Sequence, residues 1–323
     1  MAVRPEPDIS AFLKSRRAAL DPAELGLPGG GPGRRRVPGL RREEAAQLAG
    51  ISVDYYTRIE QGRTQNISDA VLDSVARALR LTDDEYTYLR SIAYPVRRTA
   101  AATASQRVRP GVRMLLDSMS GVAAYVHNRA TDVLAWNALG GRFTYDFAAL
   151  PPRERNLARL YFLHEERSRA LYPEWDKGGE YMAARLRAEA GQHPGDASLG
   201  ALIGELLERS AAFRRCWDLQ GVRSLCYGVK HITHPVAGEL WLHYESLLLP
   251  PDTGQCLVTF TPEPGSVSAT ALGLLTGRPE GGGTGFAVDG APPAGAAGGA
   301  GERTAAAGRG GARGGSAITN PTN

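Results

Sequence analysis

Residues 41–63, RREEAAQLAGISVDYYTRIEQGR, constrain this chain more than any other stretch. Two short runs of helix formers meet at Gly50, which can take the positive φ that a tight inter-helix turn requires. Ala46 is small enough to let a second helix approach. Ile51 can anchor the turn in a core, and Ser52 is a good N-cap for the next helix. Tyr56 and Ile59, three apart, supply that helix with one buried face. Val53, Asp54, Thr57 and Arg58 are then left pointing outward at its N-terminal end. The segment predicts two helices crossed at a sharp turn, with one free to enter a groove about 12 Å wide.

The flanking sequence extends this into a helical region over residues 1–94. After a loose leader, Ile9 to Leu20 puts Ile9, Phe12, Leu13 and Leu20 on one face, with Asp8 or Ser10 as cap. Residues 21–39 break the pattern with LGLPGGGPG. Ser68 opens another helix. Thr82 and Glu85 form a capping-box pattern ahead of a last one that ends before Pro95. About five helices are expected. Residues 95–109 hold few large apolar side chains and suit a linker. From residue 110 to 276 the pattern is mixed. A helix is expected over Val112–Met119 and a hairpin over Ala123–Ala135. Helical periodicity runs through 153–217, and strands are expected at Val222–Val229, Glu239–Leu249 and Gln255–Thr261. Residues 277–323 contain 26 Gly and Ala among 47, too little apolar surface to offset backbone entropy, and predict disorder.

Charge is placed rather than abundant. The net charge is +4, but residues 1–98 carry 16 Lys and Arg against 13 acids while 99–276 balance at 18 each. Arg34, Arg35, Arg36, Arg41 and Arg42 fall within nine residues, a cluster that suits either phosphate oxygens or a solvated loop. No run of 18 apolar residues occurs, so no membrane span is expected. The amino terminus lacks the apolar core of a secretory signal. Cys216, Cys226 and Cys256 are too few and scattered for a disulfide framework, which fits a reducing, cytoplasmic compartment. His231, His234, Glu239 and His243 offer metal-ligand types, but HxxH at a turn into a strand does not put both rings on one helical face. Nothing assembles a nucleophile with a base, so neither an enzyme nor a metal or cofactor site is expected.

The 41–63 segment resembles the helix-turn-helix of the phage-repressor and Xre class, through Ala46, Gly50, Ile51, Tyr56, Ile59, Glu60 and Gly62. The resemblance implies double-stranded DNA as partner. Val53, Asp54 and Arg58 then occupy base-reading positions, and Arg42, Ser52 and Thr57 phosphate-facing ones. Tyr55 and Arg63 complete the DNA-binding candidates. Arg58 would contact either guanine or phosphate, and Asp54 either cytosine or its own helix dipole. Tyr55 would pack on the sugar-phosphate backbone or on a neighbouring loop. Arg17 and Glu60 match an ion-paired couple of that class. The loop holding Arg34–Arg36 is longer than the class usually has.

Over residues 8 to about 276 the chain also resembles the MmyB-like (MltR-like) transcription regulators. The carrying stretches are DVLAWN (132–137), NLARLYFLHEERSRALYPEW (156–175), HPVAGELWLHYESLLLP (234–250) and EPGS (263–266). This implies an all-α Xre-like domain followed by an α+β, PAS-like ligand-binding domain, with an apolar or fatty-acid-like ligand. Trp136, Phe143, Tyr161, Phe162, Trp175, Tyr181, Phe213, Trp217 and Trp241 either line a pocket or fill a core. Trp136, Asn137, Phe162, Trp217 and Lys230 are the ligand-site candidates, with Asn137 alternatively a helix cap and Lys230 alternatively part of a surface face. A homodimer on a two-fold operator is expected, because one module of this size buries only about 600–1,000 Å² on DNA. The competing reading is a protein–protein adaptor that uses the same helices on a protein partner.

Overall fold

Asp8 opens the first helix by accepting a hydrogen bond from the Ser10 amide at 2.8 Å, and α1 (Ile9–Ala18) follows. The computed structural model describes residues 8–27, 39–64, 66–94, 107–224, 227–250 and 254–275. The leader, the Arg34–Arg36 loop, most of the expected linker, Cys226 and the tail lie outside the described residues. After a 3₁₀ turn (Ala23–Leu25) come α2 (Arg42–Ala49), α3 (Val53–Glu60), α4 (Asp69–Ala78) and α5 (Asp83–Ala93), the five helices expected. Their starts are written in single residues. The Ser68 hydroxyl accepts from the Val71 amide, and Thr82 and Glu85 form the reciprocal capping box. Phe12, Leu13, Leu40, Tyr56, Ile59, Leu72 and Leu89 are fully buried in one core. There the Phe12 and Tyr88 rings meet edge to face, 5.1 Å between centroids.

From residue 107 the chain builds a sheet with helices on it. α6 (Pro110–Ser118) leads into β1 (Ala123–His127) and β2 (Val133–Trp136). Then α7 (Gly140–Phe143), a 3₁₀ turn (Pro152–Glu154), α8 (Leu157–Phe162), α9 (Glu165–Leu171), α10 (Trp175–Gln192), α11 (Ala197–Arg209) and α12 (Ala211–Asp218) separate β2 from the remaining strands. Those are β3 (Gly228–His234), β4 (Gly238–Leu248) and β5 (Cys256–Pro262), followed by α13 (Val267–Leu274). The five strands form one sheet in the order β2-β1-β5-β4-β3, every neighbour antiparallel. This is the α+β, PAS-like region anticipated.

β4 alternates, with Leu240 and Leu242 fully buried and Trp241 half exposed. β1 and β5 are covered on both faces. Ala123, Val258 and Phe260 pack toward Phe143 and Leu272, while Ala124, Val126 and Leu257 pack against Val112 and Leu116 of α6.

One expected strand is displaced. Of the described residues in Val222–Val229, Gly228 and Val229 are in the strand; pairing begins at Gly228 and runs to His234. The preceding segment is spent elsewhere. Val222 joins the core of the N-terminal helices. The Arg223 amide donates to the Ala184 carbonyl at 3.3 Å and the Ser224 amide to Asp84 at 3.1 Å. α7 and α13 are helices that the hydrophobic pattern did not announce.

α10 joins the two regions. Ala183 and Leu186 sit in the core shared with α11 and α12, while Ala188 belongs to the core of α1–α5. Gly191 lies directly on the Tyr88 ring: a Cβ there would stand 2.4 Å from a ring carbon. The described residues accordingly form one compact unit. Among the described residues, no helix is long and apolar enough to cross a membrane.

Candidate DNA interface and ligand cavity

The turn between α2 and α3 closes as its residues dictate. Gly50 sits at φ 66°, ψ 30°. Its amide bonds the Gln47 carbonyl, and the Ile51 amide bonds that of Ala46, both at 3.1 Å. This paired arrangement satisfies the carbonyls left over at the end of α2. Ala46 is fully buried, Ile51 packs partly against the core, and Ser52 accepts from the Tyr55 amide at 3.2 Å.

With Tyr56 and Ile59 fully buried, α3 turns Ser52, Val53, Asp54 and Arg58 to solvent, together with Arg63 beyond its end. Thr57 and Tyr55 are half-buried, and Tyr55 packs against the core. The exposed candidates therefore form one edge at the N-terminal half of α3 and its exit. There the unpaired amides of the first turn favour an anion.

Glu60 closes the motif from inside. It is fully buried and holds two arginines: its Oε2 accepts from Arg17 Nε and its Oε1 from Arg42 Nε, each at 2.8 Å. Arg17 also donates to the Leu40 carbonyl. Burial pushes the Glu60 carboxyl upward, but the hydrogen bonds and charges of Arg17 and Arg42 outweigh it and hold the group below the usual carboxylate range. The Arg17–Glu60 couple is thus present as expected. The second arginine is new: Arg42, read from sequence as phosphate-facing, spends its Nε on Glu60 while its side chain stays 41% exposed.

A cavity of about 140 Å³ lies between the sheet and α8–α10. Six tyrosines line it, Tyr125, Tyr145, Tyr161, Tyr172, Tyr181 and Tyr244, together with Phe260, Met182, His127, Arg185, Lys230 and Gly178. His127 Nδ1 lies 2.7 Å from the Asn128 carbonyl, so that nitrogen carries the proton. Burial, reinforced by the Arg185 charge, pulls the ring down to about 3 and keeps it neutral. Burial likewise raises the Tyr145 hydroxyl to about 12. A smaller adjoining recess of about 50 Å³ shares Tyr172, Gly178, Tyr181, Lys230 and Tyr244 with the cavity and adds Glu174, Lys177, Val229 and His231.

Of the ligand candidates drawn from sequence, Lys230 lines this cavity, its Nζ 4.9 Å from the Tyr172 ring centre. The other four are not among the lining residues. Asn137 is committed to the fold: its Oδ1 accepts from the Ala124 and Gly140 amides, and its Nδ2 donates to the Met119 and Val122 carbonyls. Of its two sequence readings, capping is the one the structure displays. Phe162 packs in a core against Phe213 at 5.0 Å. Trp217 lies under the Arg187 guanidinium at 3.9 Å, and Trp136 packs on Phe147 with Arg155 over its ring.

Tyr161 and Tyr181 were among the aromatics marked for a pocket or a core, and they line the cavity. Tyr125, Tyr145, Tyr172, Tyr244, Phe260, His127 and Arg185 line it without having been anticipated from sequence. Their positions share no period and no local motif, so only the closed fold collects them. The polar strand residues His231 and Glu239 pair with each other, and His231 stacks on Trp241 at 4.0 Å. Among the described residues no cluster of three or more metal-ligating side chains forms.

Two comparisons bear on this geometry. Residues 8–89 match the family model of a helix-turn-helix domain. Residues 108–275 match that of the MmyB-like transcription regulator ligand binding domain. No curated protein matches the chain.

Proposed function

This chain belongs to the MmyB-like transcription regulators, and we propose that it is a bacterial, cytoplasmic, Xre-class regulator that binds DNA as a homodimer under the control of a small carboxylic acid. In this reading α3 enters the major groove. Val53, Asp54 and Arg58 face base edges, while Ser52, Thr57, Tyr55, Arg63 and the free part of Arg42 face the sugar-phosphate backbone. The observation that carries it is the single exposed edge of α3, held off a core by buried Tyr56 and Ile59 and locked from behind by Glu60. Two copies would read a two-fold operator.

The second half of the reading rests on the cavity. A carboxylate-headed ligand with an apolar body suits a pocket that pairs aromatic walls with Arg185 and Lys230. α10 gives the ligand a route to the DNA-binding helices. It presents Tyr181, Met182 and Arg185 to the cavity and sets Ala188 and Gly191 on the core that holds α5. The chain binds and regulates, and does not catalyse.

The test is selection of a preferred duplex from a random pool, followed by affinity measurements across a salt series. A palindromic site is expected, with log affinity falling linearly against log salt at about −0.9 per phosphate contacted. Arg58→Ala should relax or shift base preference, with discrimination changed by roughly 1–3 kcal/mol at one position of each half-site. Absence of any salt-dependent DNA binding by the folded protein would refute the reading and favour the adaptor.

A further inference from the structure

We propose that the cavity takes a ring-sized aromatic carboxylate whose acid group docks on Arg185, and that a long acyl chain is not its ligand. This rests on the reading of the cavity as the regulatory site and goes beyond it by naming the chemical class.

Size is the first argument. At about 140 Å³ the cavity matches the roughly 150 Å³ apolar void that accommodates a benzene ring, and falls below the ~300 Å³ at which sites for larger ligands begin. Even with the adjoining recess of about 50 Å³, a long chain would leave most of its length outside the lined space. Those walls are rings already packed on one another. Tyr161 and Tyr172 lie 5.4 Å apart, and Tyr125 and Phe260 5.8 Å. Gly178 sets the limit at one side, where a Cβ would stand 2.3 Å from the Tyr161 hydroxyl and 3.4 Å from Lys230 Nζ.

Charge is the second. The cavity lining contains two cations and no carboxylate; Glu174 stands in the adjoining recess, paired with Lys177 at 3.4 Å. The Arg185 side chain is only 12% exposed, and Glu189, its ion-pair partner, stands 3.9 Å away, beyond hydrogen-bond reach. A guanidinium carries five donors in a planar fork, and one this buried is stabilised by an anion that uses the fork. A carboxylate does so in two parallel bonds. His127 adds an acceptor. With Nδ1 protonated toward Asn128, Nε2 keeps a lone pair that a ring hydroxyl can satisfy. The tyrosine faces and edges supply the rest of the contact, which favours an aromatic body over a flexible one.

The test uses the full chain and a fixed panel: benzoate, 4-hydroxybenzoate and salicylate, the neutral 4-hydroxybenzamide, and myristate. Binding is read by calorimetry and by thermal shift. At least one ring acid should bind and raise the melting temperature, with 4-hydroxybenzamide at least about 10-fold weaker. Arg185→Gln should weaken the acid by about 10–100-fold, the loss of a charge-assisted pair, and erase the preference for acid over amide. Arg185→Lys should recover part of it, and this separates a lost contact from a lost fold. Equal binding to wild type and Arg185→Gln would overturn the assignment of the acid group. Binding of myristate alone would overturn the ring-sized class while leaving the cavity as the regulatory site. Binding of no panel member overturns the class in any event. Native mass spectrometry then separates the two readings: a co-purified molecule of another kind spares the site, and a bare protein counts against the site as well.

Discussion

Replacing Glu60 with alanine removes the carboxylate that Arg17 and Arg42 share, and the two arginines should feel it very differently. Both bonds are 2.8 Å long, so distance does not separate them; burial does. The Arg17 side chain is 11% exposed and the Arg42 side chain 41%. Breaking a buried pair strands a charge in low dielectric and costs about 3–5 kcal/mol. The Arg42 end reaches water while the Glu60 end does not, so losing Arg42 leaves one buried carboxylate oxygen short of a donor, at about 1–3 kcal/mol. Glu60→Ala should therefore cost about 3–5 kcal/mol and lower the melting temperature by about 6–20 °C, at about 2–4 °C per kcal/mol for a unit of this size. Arg42→Ala should cost less, about 1–3 kcal/mol, because Arg17 still holds the carboxylate. Urea titrations of Arg17→Met, of Glu60→Leu and of the two combined supply the cycle. The double replacement should recover most of the loss, because matched apolar groups need no charge compensation. The sign with pH follows from the lowered folded value. The unfolded carboxyl titrates near about 4.3, so the contribution is complete above that pH and disappears as the pH falls through the lower folded value. A Glu60→Ala protein that melts within about 2 °C of wild type would refute this account, and so would an Arg42→Ala protein that loses as much.

Three further outcomes are expected. Gly50→Ala meets no atom within 4 Å of the new Cβ, so its cost should be the backbone conformation alone, about 1–2 kcal/mol by urea titration, with a correspondingly small loss of DNA affinity. Asn137→Ala leaves two amides and two carbonyls without partners and should cost about 3 kcal/mol or more, while ligand affinity in the folded fraction stays unchanged. His127, held neutral at about 3 by burial and by Arg185 against about 6.5 when unfolded, contributes stability that is full above about pH 6.5 and is lost steadily as the pH falls toward 3. His127→Gln should reduce that slope in a melting-temperature profile, leaving a residue from His234, whose pKa burial also lowers.

What could be read from sequence was what single residues impose on their own backbone. Ser52, Ser68 and the Thr82–Glu85 pair each announce a helix start, because the cap is made by the side chain within three residues. Gly50 announces the turn for the same reason. The Arg17–Glu60 pair spans 43 positions, and no local pattern links them; a resemblance did. Arg42 as its third member had no signal, since an arginine at a helix start looks the same whether it faces phosphate or a neighbour. Misplacing β3 has a physical cause too. Val222 is apolar because it serves the N-terminal core, and in sequence that use is indistinguishable from strand burial. The large aromatics misled most. Phe162, Trp217 and Trp136 are core or cation-stacked residues, while the cavity is assembled from tyrosines scattered between positions 125 and 244.

The contact between Gly191 and Tyr88 also bears on how such regulators can diversify. Tyr88 fills the space that a side chain at 191 would need, Ala188 and Val222 complete the core around it, and Arg16 donates to the Leu219 carbonyl across the same seam at 3.1 Å. A helix-turn-helix grafted from another regulator would have to bring a ring that accepts Gly191 and an arginine that finds residue 219. If α3 reads the operator as proposed, DNA specificity is therefore easier to change by substitutions along its exposed edge than by exchanging the whole amino-terminal module. Chimeras cut between residues 94 and 107 should inherit the donor's specificity only when the seam residues travel with it.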